Sequence, residues 1–161
     1  MFRVHSSFNK WAQKLLDSRN DEGLESPFKT AFDLYYLCFV VGVGKGRTLD
    51  TSSQDMRDLV KTFTESFQEY KYSIAGLLLV SELVNSHVGL NKDLVQSSVV
   101  NLLSSDTLLS STAVDLMNSY ALAGYNIIRE ELQSSPSQSY EFLIWFYNEM
   151  LPKCFNTSNW T

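Results

Sequence analysis

Cysteine is nearly missing from this chain. Cys38 and Cys154 are the only two in 161 residues, too few for a disulfide framework. Cys38 lies inside an apolar run, where a thiol acts as a small hydrophobe. No histidine neighbours it to make it a nucleophile. Histidine is as scarce: neither His5 nor His87 has a Cys, His or carboxylate at metal-ligand spacing. No G-x-S-x-G occurs, so a serine nucleophile elbow is absent. Asp115, Glu130 and Glu131 read as helix-start and helix-surface carboxylates. The expectation is a non-enzyme with no cofactor and no metal.

Positive charge is also in short supply. Thirteen Lys/Arg face eighteen Asp/Glu, for a net charge of −5. The imbalance grows along the chain: residues 101–161 hold two basic and six acidic side chains. A broad basic footprint, the mark of phosphate-backbone binding, is therefore missing. Long hydrophobic runs are missing too. The longest is too short to span a bilayer, and no N-terminal stretch resembles a signal peptide. Free thiols suit a reducing compartment, so the expected location is cytoplasmic, with no membrane partner. In that setting the sequon Asn156-Thr157-Ser158 carries no meaning. Arg3, Lys10, Lys14 and Arg19 against Asp17 give the N-terminus a transit-peptide look. A surface helix covered by Phe8, Trp11, Leu15 and Leu16 is the favoured reading.

What the chain does have is apolar and aromatic residues, 44% and 13% of the total. They describe a globular fold. The expectation is an all-α, compact single-domain bundle of about six to eight helices over 1–161, frayed at 1–6 and 153–161. Thr30 and Asp33 resemble a helix start and Gly42 and Gly44 its stop, which favours a buried helix over 30–44, while the Tyr, Phe and Val of 34–44 suit a strand as well. Met56, Leu59, Val60, Phe63, Phe67 and Tyr70 recur at helical spacing after a cap at Thr51 or Ser52. Further helices are read from Ile74 to Val84, from Asn91 to Leu103, and from a Thr112–Asp115 cap to Leu132. A short one starts at Ser105 or Asp106. The last runs from Tyr140 to Leu151, stopped by Pro152, with a turn at Ser134–Ser137 before it. Gly124 either admits a close neighbour or marks a break. A strand at Phe2–Val4 lacks an identifiable partner.

The basic exit Gly42-Val43-Gly44-Lys45-Gly46-Arg47 invites comparison with phosphate-binding loops. A P-loop needs a glycine where Phe39 stands and a Ser or Thr where Gly46 stands. The dinucleotide pattern needs a glycine at Arg47. Both are excluded. An anion site of backbone N–H groups with Lys45 and Arg47 is conceivable. The plainer reading is a helix C-terminus whose cations offset its dipole. Tyr35, Tyr36, Phe39, Trp145, Phe146 and Tyr147 suit a base-stacking surface, although core is the commoner fate at helical spacing.

Two segments carry a family resemblance. Pro27–Arg47, with Phe28-Lys29-Thr30, Asp33 and the Gly42 to Arg47 exit, resembles the F-K-T-x-x-D … G-x-x-x-G-R region of small accessory proteins of bacterial DNA phosphorothioation (Dnd) systems. Tyr120–Leu132 resembles that family's Y-A-x-G-G-x-x-I-I-x-E-E-L segment. The chain departs at Thr48, where a second basic residue is frequent. The resemblance implies a bacterial cytoplasmic protein of a DNA-modification or anti-phage defence locus. On it rest two expectations: an adaptor that binds other proteins of that locus, or a DNA-binding accessory using Lys29, Lys45 and Arg47. A hydrolase or transferase with an unrecognised site is the third. Oligomeric state is not legible.

Overall fold

The computed structural model describes residues 1–18, 23–85, 91–132 and 138–155. Arg19, His87, the turn read at Ser134–Ser137 and the Asn156-Thr157-Ser158 sequon lie outside these. The architecture is mostly helical but not all-α: two small two-stranded sheets accompany the helices.

The chain opens with strand β1 (Phe2–His5) and helix α1 (Ser6–Leu16). The strand read at Phe2–Val4 is present. Phe2 and Val4 are buried, as period-two alternation requires of a strand with one wet face. Its partner is β2 (Met56–Val60), antiparallel, pairing Phe2 with Val60 and His5 with Met56. This corrects the helix read at 56–70. The apolar positions there fit helical spacing, but β1 needs partners for its backbone groups. Tertiary pairing outweighs the local pattern. Phe63 and Phe67, beyond the strand, then pack on Phe2 and Phe32 with ring centroids 5.2 and 5.0 Å apart. Only a short 3₁₀ turn, Glu65–Phe67, remains of the expected helix.

Helix α2 (Ala31–Gly44) is the predicted buried helix. Its start is set by Asp33, whose Oδ2 accepts the Lys29 and Thr30 N–H groups at 2.7 and 2.8 Å. Thr30 Oγ1 is buried without a hydrogen-bond partner, so only this half of the capping box is made. The helix runs through Gly42 and ends at Gly44, as the glycine-rich exit predicts.

Next come α3 (Lys71–Asn85) and α4 (Lys92–Leu102), the latter capped by Asn91 as expected. In α3, Ile74, Ala75 and Leu78 are buried, with Leu77 and Leu83 only partly so. In α4 the anticipated inward stripe is shallow: Leu102 is buried, while Leu94 is exposed. The segment read as a short helix at Ser105 is instead a hairpin of β3 (Leu103–Ser104) and β4 (Leu108–Leu109). Ser and Asp favour turns and helix caps by the same local hydrogen bonds. Here Ser104 Oγ accepts the Asp106 N–H at 3.3 Å.

Helix α5 (Ser111–Glu131) starts at Ser110, whose Oγ accepts the Ala113 N–H. It crosses α2 at backbone contact. A Cβ on Gly42 would meet the Tyr120 carbonyl, and one on Gly124 would meet the Cys38 carbonyl and sit 2.8 Å from the Gly42 nitrogen. Gly124 thus admits a close neighbour, and α5 is unbroken around it.

The C-terminal segment continues through Pro152. It runs as α6 (Ser139–Trp145), a π-helical turn (Phe146–Met150) and α7 (Leu151–Cys154). The proline ring would clash with the Asn148 carbonyl in an unbroken α-helix. The wider turn before it, closed by Leu151 N–H to Phe146 O, relieves that conflict. Phe142, Phe146, Met150 and Cys154 are buried. They join one hydrophobic cluster that reaches from Phe2 to Cys154.

Candidate functional site

The exit of α2 is a glycine-capped stop. Gly46 has φ +59°, the left-handed conformation that closes many helices. Its N–H donates to Val43 O, and the Arg47 N–H reaches back to Gly42 O, both at 2.9 Å. The Lys45 N–H donates to Val41 O at 2.9 Å. Every amide that an anion cradle would need is therefore spent on a helix carbonyl. Only side-chain charge remains for a ligand.

Those charges are not gathered. Lys45 Nζ donates to the Lys153 carbonyl at 3.0 Å, tying the end of α2 to α7. Lys153 Nζ in turn pairs with Glu131 at 2.9 Å. That carboxylate raises the Lys153 pKa, through the hydrogen bond first and its charge second. Arg47 is exposed. It borders a groove of about 230 Å³ shared with Thr48, Leu49, Asn126 and Glu130. Lys29 lies at the other end of α2. Fourteen residues at 1.5 Å each separate it from the tip by about 21 Å. The structure brings Lys45 and Arg47 to one end and leaves Lys29 apart.

Asn126 is not singled out by the sequence, and Glu130 reads there only as a helix-surface carboxylate. Their spacing of four on one helix was the available signal; their proximity to Arg47 follows only from the α2–α5 crossing. A half-buried polar cluster sits nearby. The Tyr120 hydroxyl donates to Glu82 Oε1 at 2.7 Å and accepts from Asn85 Nδ2 at 2.6 Å. Burial, followed by the Glu82 hydrogen bond, raises the Tyr120 pKa well above the usual phenol value.

Two further networks are structural in geometry. His5 Nδ1 accepts the Ser7 N–H at 3.2 Å, capping α1, and lies 2.8 Å from Ser7 Oγ. Ser7 Oγ continues to Tyr125 Oη at 3.0 Å. The neighbouring void holds only about 10 Å³, room for roughly one water. Asn118, also buried, serves β1 as a substitute strand. Its Oδ1 accepts from Arg3 N–H and from the Tyr35 hydroxyl, while its Nδ2 donates to Met1 O. Among the described residues, no group of three His, Cys, Asp or Glu side chains is arranged to hold a metal.

Of the candidate stacking aromatics, Tyr35, Phe39 and Phe146 are buried, Tyr36 and Trp145 are half-buried, and Tyr147 is exposed. They do not form one surface. The two segments that carry the family resemblance do meet: Gly42 lies on Tyr120, and Gly124 on Cys38. Comparison with protein-family models, curated proteins and solved structures finds no match. Among the described residues, no helix is long and apolar enough to cross a membrane.

Proposed function

We propose that this chain is a non-catalytic helical accessory protein of a bacterial DNA-modification or anti-phage defence system, acting in the cytoplasm through contacts with other proteins of its locus. The observation that carries the reading is an outward display of aromatic and aliphatic side chains on otherwise well-buried helices. Tyr147 and Ile144 are 69% and 60% exposed, on the same helical segment that buries Phe142 and Met150. Tyr72 on α3 is 67% exposed. Aromatic side chains are over-represented in protein interfaces, and a few such anchors dominate binding energy. The locus itself is suggested by the resemblance of Pro27–Arg47 and Tyr120–Leu132 to the Dnd accessory family.

The test is co-purification from cells carrying the native locus. The tagged chain is expected to retain products of neighbouring genes. Tyr147→Asp should cut that recovery about tenfold, the effect of losing a single strong anchor, without changing the melting curve. Recovery of no neighbouring product, or recovery indifferent to the substitution, overturns the reading.

A second reading, direct DNA contact, draws on the exposed Arg47 beside an open groove. Lys45 and Arg47 together would give a log–log salt slope of about −2 on duplex DNA. Retention on immobilised DNA at low salt, lost in the Lys45→Ala/Arg47→Ala double variant, supports it. No retention removes it.

A further inference from the structure

A cleft of about 210 Å³ opens where the chain leaves β2 and where α5 begins. Its lining has two kinds of surface. Phe2, Phe63 and Leu109 are buried and give it an apolar interior. Lys61, Thr62 and Ser111 are exposed and border the same space. Two other hydroxyls at the cleft are already committed: Thr107 Oγ1 donates to Leu109 O at 2.8 Å, and Ser110 Oγ to Asn101 O at 2.7 Å. Among the described residues, the side chains of Lys61, Thr62 and Ser111 have no hydrogen-bond or ion-pair partner. The cleft, which Met1 also lines, therefore combines apolar walls with the uncommitted side chains of Lys61, Thr62 and Ser111.

Size and polarity together narrow the ligand. An apolar cavity of about 150 Å³ accommodates benzene, so this cleft admits a six-membered ring with a small substituent. A bare inorganic anion would leave the apolar walls unused. A purely apolar ligand would leave Lys61, Thr62 and Ser111 unused. A cationic ligand would meet Lys61 with like charge. We infer that the cleft binds a small organic carboxylate, its ring or short hydrocarbon body against Phe63 and Leu109 and its carboxylate against Lys61, Thr62 and Ser111. The inference is independent of the proposed adaptor role.

The experiment is a titration of the full chain followed by amide chemical shifts, with benzoate, benzyl alcohol and benzylamine as matched probes. Benzoate should give saturable shifts at residues 61–63 and 109–114, with a dissociation constant of about 1 mM or tighter. Benzyl alcohol, with the same ring and no charge, should bind about tenfold more weakly, and benzylamine more weakly still. A hydrogen bond to a charged group is worth enough for that ratio. Lys61→Gln, a substitution at an exposed position, should weaken benzoate about tenfold and leave benzyl alcohol unchanged. The inference fails if benzoate gives no saturable shifts, if the shifts map elsewhere, if benzoate and benzyl alcohol bind alike, or if Lys61→Gln leaves benzoate binding intact.

Discussion

Three glycines on long helices carry opposite instructions. Gly42 and Gly124 lie where a methyl group would strike the backbone of the facing helix, whereas Gly76 on α3 has open space around it. Neither facing carbonyl belongs to a flexible side chain, so neither can swing aside. Gly42→Ala and Gly124→Ala are each expected to cost about 3 kcal/mol, the upper range for overpacking. Gly76→Ala should stabilise by about 0.5–1 kcal/mol, because alanine is the better helix former. Urea melts of the three variants check both signs, and a stabilising Gly124→Ala would refute the crossing geometry. From the sequence, Gly124 was legible as an anomaly, since a helix interior does not otherwise favour glycine. Its partner was not legible, because Cys38 is far away in sequence. The same holds for Lys45. Its charge is plain in the sequence, but the Lys153 carbonyl it holds is 108 positions away.

At the scale of elements, capped and well-buried helices were readable and long-range strands were not. Asp33 and Asn91 signal the starts of α2 and α4 through local hydrogen bonds, and local physics suffices there. β2 is decided by β1, which lies more than fifty residues earlier. A periodicity that suits a helix is overruled when a neighbouring edge needs pairing. Pro152 illustrates the complementary error: a helix passes a proline when the preceding turn widens to take it. The end of α2 falls at Gly44, where the sequence places it. Gly42 and Gly44 serve packing, and the left-handed residue that closes the helix is Gly46. Gly46→Ala should cost about 1 kcal/mol, the penalty of a side chain in that conformation, and should leave the far end of α2 undisturbed. A chemical-denaturation midpoint together with amide shifts at Lys29 and Thr30 tests both parts.

Across the whole molecule, one core takes residues from both ends of the chain, and both thiols are within it. Burial raises the pKa of Cys38 and of Cys154. A raised thiol pKa leaves little thiolate near neutral pH, and the thiolate is the reactive form. Native protein at pH 8 is therefore expected to resist a thiol-specific reagent, with two equivalents titrating only after unfolding. Rapid reaction of either cysteine in the native state would contradict the placement of α7 or of the α2–α5 contact. Charge, by contrast, is dispersed over the surface, with Lys29 and Arg47 at opposite ends of α2. That separation could not be read from composition, which counts cations without locating them.

The paired glycines on α2 and α5 also act as a mechanical key. Each seats a carbonyl of the opposite helix, so a slide or a roll of either one would drive a bulkier side chain into the vacated notch. The two helices consequently move as one rigid unit whose axial phase is fixed when the chain folds. Any rearrangement that accompanies binding is expected outside this pair, in the α3–α4 layer or in the helical segment that follows Gln138.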